Sequence, residues 1–335
     1  MPAITSKAIT VPYEYSTEII RGIEGRSKVF ELGRRLPDMR GAQYDLPVIS
    51  ALTVAGFVDN SGVTVTDTDA DGETVNTPEI NRKPLSRLLW ENKSIFAKEI
   101  AVIVPIAEAT LDDLENLGYE VISTISADVE GAFANVIDGA VFFGTNSPFT
   151  ALGVPSVVAG AKSAGARVVW NGNGPDLYDA ISDAMSFVET SGFEVTAIIG
   201  SPALRGAFRK MRDQVGQLIW GGEIQDLARY YNETGAWLNA NAFAVVGDFR
   251  YLVYSIRQEM RVKLLDQATL TDPTTGNALY HLGQQDMVAL RFTMRFGYQL
   301  PNPVNRVGLS IEEDGVQAFP FAVITKGNAG SGSAQ

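Results

Sequence analysis

Few residues in this chain have the type and spacing to do chemistry. His281 is the single histidine and there is no cysteine, which removes thiolate nucleophiles, disulfides, cysteine metal sites and His-pair metal motifs together. His281 lies in Leu279-Tyr280-His281-Leu282-Gly283, a polar-to-apolar junction before a strand-like run. It reads as an ordinary structural or surface histidine, since an imidazole becomes a catalyst only through neighbours that tune it. No Gly-x-Ser-x-Gly elbow, Walker A loop or Gly-x-Gly-x-x-Gly fingerprint is present. Asp67, Asp69, Asp71, Gly72 and Glu73 cluster as a hard cation requires. An EF-hand needs glutamate at its twelfth position, however, and that position counted from Asp67 is Pro78. The cluster reads as a solvated acidic turn, and no catalytic, cofactor or metal site is assigned.

The composition bounds what could position such residues. At 335 residues, 45% hydrophobic and 20% charged, the chain is globular and can build one large or two ordinary cores. No run approaches the roughly 18 apolar residues of a membrane span, and Met1–Thr10 lacks the basic-then-apolar pattern of a secretory signal. The net charge of -12 argues against a surface built to hold phosphates, although a local basic patch remains compatible with it.

The first part, to about Tyr44, is polar and irregular, with Arg21, Arg26, Lys28, Arg34, Arg35 and Arg40 in a short span. It reads as an arm with little core of its own, ordered by a partner surface. From Ala55 to Ile80 the residues Asp59, Asp67, Asp69, Asp71, Glu73 and Glu79 appear with no Lys or Arg between them. Val63 and Val65 alternate there with Thr64 and Thr66, a strand period. Arg82, Lys83 and Arg87 follow, and Ser94–Val104 resumes a strand-like run. Together these segments predict a long two-stranded excursion with an acidic tip, which must lie on something else because two strands lack burial.

Leu111–Phe143 carries the strongest periodicity: Leu111, Leu114, Val121, Ile125, Val129, Ala132, Val136 and Ala140 predict one long amphipathic helix. Thr110, Asp112 and Asp113 favour its start and Gly144 its end. Gly118, Gly131 and Gly139 lie inside it, either for close backbone approach or as points of bending, at up to about 1 kcal/mol each. Beyond Trp170, Asn173-Gly174-Pro175-Asp176 opens a helix with Leu177, Ile181, Met185 and Val188 inward and Gly192 at its end. Val195–Ile199 reads as a buried strand. Ser201-Pro202 caps another helix with Leu204, Phe208, Met211, Val215 and Leu218 on one face. Strands are expected at Ala242–Val246, Tyr251–Ile256, Met260–Leu265, Asp286–Tyr298 and Phe319–Ile324, before a mobile tail from Lys326.

This order resembles the major capsid proteins of tailed bacteriophages, the Hong Kong 97 fold family shared with encapsulins. Leu46-Pro47-Val48 with Ala55-Gly56-Phe57-Val58-Asp59 is similar to the family's lead into its extended loop, although Glu is more usual where Asp59 stands. Ile103-Val104-Pro105-Ile106-Ala107-Glu108 before Leu111-Asp112-Asp113 is similar to the strand and acidic start of its spine helix. Phe143-Gly144-Thr145-Asn146-Ser147-Pro148, then Gly153-Val154, resembles the close of that helix. Val245-Val246-Gly247-Asp248-Phe249 with Leu252-Val253 resembles the axial-domain turn. The resemblance spans roughly residues 25 to 325 and rests on the ordered set of strings.

The resemblance implies an α+β fold in a discontinuous layout. It comprises an N-terminal arm (1–45), an extended β-hairpin loop and its base (46–100), and a peripheral domain with the spine helix (101–165). An axial domain (166–284), returning peripheral strands (285–325) and a flexible tail (326–335) complete it. It implies a structural subunit rather than an enzyme, self-assembling into pentamers and hexamers of an icosahedral head around double-stranded DNA. That head is a virion part assembled in the host cytoplasm. The DNA is held only by weak non-specific contact, and no membrane is involved. Because the arm begins so near Met1, the scaffolding protein is expected to be a separate chain or absent; a portal and decoration proteins are further expected partners. An encapsulin-like compartment is the nearest alternative and an α/β enzyme a remote one. Intersubunit contacts are expected from Arg21, Arg26, Lys28, Asp67, Asp69, Asp71, Glu73, Arg82, Lys83, Arg87 and Trp90, with the arm arginines pairing with the acidic tip. Lys83 and Lys93 lie in the loop region, but no isopeptide partner is legible.

Overall fold

The computed structural model describes residues 27–53, 88–109, 111, 121–171, 174–211, 227–238, 241–272, 274–303 and 318–327. In chain order, helix α1 (Lys28–Leu32), β1 (Arg34–Arg35), β2 (Gln43–Ala51), β3 (Leu89–Phe96) and β4 (Lys98–Ala107) precede the long helix α2 (Val121–Asp138). α2 runs into a π-helical turn, Gly139–Phe143, and stops at Gly144, whose φ of 72° gives the left-handed cap that glycine adopts without a Cβ penalty. Then come α3 (Val157–Ser163), β5 (Arg167–Trp170), α4 (Gly174–Thr190), β6 (Ala197–Gly200), α5 (Ala203–Arg209), β7 (Ala228–Tyr231) and β8 (Ala244–Gly247). β9 (Val253–Leu265), β10 (Thr269–Thr271), β11 (Ala278–His281), β12 (Met287–Gln299) and β13 (Phe321–Lys326) complete the described chain.

Two sheets organise these elements. The first has the order β1-β9-β12-β4, its long strands antiparallel. On β12 the residues Leu290, Phe292, Met294 and Phe296 are buried, while Arg291, Thr293 and Arg295 between them are half-exposed. That is the period-two alternation of a sheet with one covered face. The second sheet has the order β5-β13-β8-β6-β7 and is apolar on both faces. Phe321 and Val323 of β13 join the core containing α2 and the first sheet, whereas Ala322 and Ile324 join a second core under α4 and α5. Burial on both sides explains why β6, β8 and β13 read as continuous apolar runs.

Several expectations are corrected. The segment before Tyr44 is not an arm without core from Ser27 onward: Val29 is fully buried, and Phe30 packs at a tilt against Tyr254, 4.9 Å between ring centroids. β1 also pairs with β9. The buried stripe of α2 and its π turn is Val129, Phe133, Ile137 and Val141, while Ala132 and Val136 face solvent. Alanine and valine had given both phases an apolar look, and the bulkier Phe133 and Ile137 take the inside because they remove more area from water. The strands expected at Tyr251–Ile256 and Met260–Leu265 are one strand, β9, which begins only at Val253 after a 3-10 turn through Tyr251 and is bulged opposite Thr293–Phe296. β9 pairs with returning strand β12, not within the 166–284 unit, and β13 pairs with β5 and β8 rather than with β12. The division at 284/285 therefore does not follow sheet membership, because strand pairing joins segments far apart in sequence. The Ser201 hydroxyl caps nothing and has no partner. The loop between 54 and 87, the start of the long helix at 112–120, and Val215 and Leu218 lie outside the described residues.

Candidate assembly surface

The most elaborate polar arrangement in the described structure centres on Asp138. Its position is i+4 from the buried Ala134, so its carboxylate points into the protein and is fully buried. Oδ1 accepts from the Ser27 hydroxyl at 2.7 Å and from the Val29 amide at 3.2 Å. Oδ2 accepts from the Lys28 amide at 3.2 Å, Asn232 Nδ2 at 2.7 Å and the Thr234 hydroxyl at 3.4 Å. One carboxylate thus holds the free amides at the start of α1, the end of α2 and the loop after β7. Burial pushes this carboxyl above its ordinary value; the hydrogen bonds from Ser27, Lys28, Val29 and Asn232 pull it back without cancelling the effect. All five of its hydrogen-bond partners donate and come from segments other than its own helix, so the carboxylate joins those segments. The sequence reading missed it; the signal was an aspartate on the phase of the larger apolar residues.

Beside this node the exposed side of α2 lines an open groove of about 770 Å³ that includes Gly131, Val136 and Glu233. Lys28, expected at a subunit contact, borders this groove and pairs with Glu31 of its own helix. Trp90, also expected at a contact, sits on the β2–β3 hairpin opposite Ile49 and is 61% exposed, next to exposed Leu88 and Leu89. With Arg34, Arg250 and Pro301 it lines a second groove of about 570 Å³. Arg250 is braced there by Asp248 at 2.7 Å and Glu194 at 3.0 Å, and the Asp248 carboxylate raises its guanidinium further above the ordinary range. Contiguous exposed apolar groups of this kind mark contact surfaces.

The remaining expected contact residues, Arg21, Arg26, Asp67, Asp69, Asp71, Glu73, Arg82, Lys83 and Arg87, lie outside the described residues. Lys93 pairs with Glu91 at 3.2 Å. His281 is exposed on β11, its Nδ1 3.0 Å from the Thr269 hydroxyl. Among the described residues no group of three or more acidic or histidine side chains converges on a point that could hold a metal, and no helix is long and apolar enough to cross a membrane.

The model of the phage capsid family matches residues 7–305. A solved chain from Mycobacterium phage Adephagia is 28% identical with a TM-score of 0.74, over 91% of this chain and 92% of that one. One from Microbacterium phage Oxtober96 is 29% identical with a TM-score of 0.71, over 98% and 96%. A structure described as the capsid of a native GTA particle, 18% identical with a TM-score of 0.52 over 97% and 94%, shares the fold. No curated protein sequence matches the chain.

Proposed function

The chain belongs to the phage capsid family and is a structural subunit of a virion shell, and from that premise we propose that it assembles into pentamers and hexamers closing an icosahedral head around double-stranded DNA. The family match across residues 7–305 carries this reading. An encapsulin-like compartment is not favoured, since the similar structures are phage and GTA-particle capsids. A shell subunit acts through heterologous interfaces that close into rings, and the exposed Trp90, Leu88 and Leu89 fit such a task.

In this reading residues 1–45, 46–100, 101–165 with 285–325, and 166–284 serve as arm, extended loop, peripheral domain and axial domain, with β9 and β13 exchanged between the last two as the sheets require. Arg21, Arg26, Lys28, the acidic residues 67–73, Arg82, Lys83, Arg87 and Trp90 contribute to subunit contacts, where charge sets register and partner choice more than affinity. Assembly takes place in the host cytoplasm with a portal, a separate scaffolding protein and decoration proteins as partners. The net charge of -12 agrees with DNA held only weakly. Negative-stain microscopy of the purified chain tests the reading: closed icosahedral particles are expected, and a chain that remains monomeric under all assembly conditions would overturn it.

A further inference from the structure

We infer that Asp138-Gly139 is a latent isoaspartate site, held closed while α1 is docked and reactive once α1 lifts away. An aspartate followed by glycine is the pair most prone to this rearrangement, because glycine has no Cβ to shield its amide nitrogen. That nitrogen attacks Cγ of the aspartate and a water leaves, closing a five-membered succinimide. Water then opens the ring at either carbonyl, returning aspartate or leaving isoaspartate with the main chain routed through Cγ. Only water takes part besides the chain itself. Among the described residues this is the single Asp-Gly pair.

Neither space nor backbone freedom calls for the glycine. A Cβ on Gly139 would meet only Ala236 Cβ and Thr145 Cβ, each at 3.9 Å, and its φ is not positive. Glycine inside a helix costs up to about 1 kcal/mol relative to alanine, so the pair is costly in conformation as well as labile in chemistry. Burial increases the lability, because it moves Asp138 toward the neutral carboxyl, the form that the amide attacks.

Orientation is what opposes ring closure. Asp138 has φ -63° and ψ -41°, and the ring requires ψ to leave the helical range. Oδ1 is held by Ser27 and Val29, and Oδ2 by Lys28, Asn232 and Thr234. On the other side of the pair the Gly139 carbonyl accepts from the Thr145 amide at 3.1 Å, which pins the backbone that follows. Ser27, Lys28 and Val29 supply their donors from one short segment. α1 has five residues and no side-chain cap from Ser27, too few to persist away from the body, so when it lifts those donors leave together and Asp138 is free to turn. Isoaspartate carries its carboxylate directly on Cα and adds a methylene to the main chain. The helical spacing then breaks at 138 and the carboxylate no longer reaches Ser27 Oγ. A transient release of α1 becomes permanent, and the subunit is marked by it.

The test incubates the purified full-length chain at neutral pH, cuts it with chymotrypsin after Phe133 and Phe142, and measures methyl transfer from S-adenosylmethionine to the peptide Ala134–Phe142 by protein-isoaspartate methyltransferase. Wild type should leave this peptide unlabelled over a period in which the chain held in urea labels it heavily. Ser27→Ala with Asn232→Ala should label it at least several-fold faster than wild type while circular dichroism and amide exchange in β8 stay unchanged, and adding Gly139→Ala should abolish the label. If that double variant unfolds, Phe30→Ala, which loosens α1 without removing a donor, carries the same expectation. Equal labelling of wild type and loosened variants would overturn the inference, as would faster exchange at the Lys28 and Val29 amides with no label. As a second readout, protection of those two amides should be lost for good after prolonged warming of wild type and recovered in Gly139→Ala; equal loss in both would count against the site.

Discussion

The Oγ of Ser27 lies 2.7 Å from Oδ1 of Asp138, a buried hydrogen bond between residues 111 positions apart. It ties the N-cap residue of α1 to the last residue of α2. The Lys28 and Val29 amides and Asn232 converge on the same carboxylate. Removing the acceptor leaves buried donors unmatched. Asp138→Asn, whose amide would face those donors, should cost about 2–3 kcal/mol in urea unfolding of the subunit. Amide exchange should accelerate at Lys28 and Val29 before it does in β6 or β8.

The same carboxyl gives a pH signature with a definite sign. Burial raises it above 3.8 in the native state, so the native state holds this proton more tightly than the unfolded chain does. Its contribution is fully present below 3.8 and declines as pH rises through the raised native value. The stability difference between wild type and Asp138→Asn, followed upward from about pH 4, should narrow over that window and level off above it. A difference that grew with pH would contradict the assignment.

Gly297 is needed for close approach. A Cβ there would stand 2.4 Å from the Phe96 carbonyl oxygen and 2.7 Å from Ile95 Cγ2, with backbone that cannot rotate away. Gly297→Ala should destabilise by about 1–3 kcal/mol through overpacking. Gly206→Ala in α5, where a Cβ meets nothing within 4 Å, should instead be stabilising by up to about 1 kcal/mol. Thermal unfolding of the two variants measures the contrast.

Trp90 separates folding from assembly. At 61% exposed it contributes little to the isolated subunit, so Trp90→Ala should change subunit stability by less than about 0.5 kcal/mol. Particle yield by sedimentation should fall, as expected for an aromatic anchor in an interface.

Gly131 tests whether the long helix must bend during maturation. Gly131→Ala should stabilise the helix by about 1 kcal/mol and slow shell expansion followed by scattering; expansion at the wild-type rate would remove the bending role.

Much of the architecture was legible from local signals. The long helix ending at Gly144, the α4 stripe of Leu177, Ile181 and Val188, and the β12 alternation each follow from a period of 3.6 or 2 and a stop residue. The capsid resemblance rested on their order, and the family match bears it out. The acidic run at 67–73 is likewise a property of the sequence alone.

Tertiary structure decided which segments meet. Nothing local tells β13 to enter the β5–β8 sheet, or Ser27 to seek Asp138, because pairing depends on which distant surfaces become complementary once the core has closed. The face of α2 that is buried was ambiguous for the same reason: Ala132 and Val136 are apolar enough to be inside, and the larger Phe133 and Ile137 prevail through packing. A basic face on the first sheet also arises only on folding, when register sets Lys263 beside Arg291 from strands that look merely amphipathic in isolation. The sequence determined the elements and their charge; long-range pairing determined which of those charges share a face.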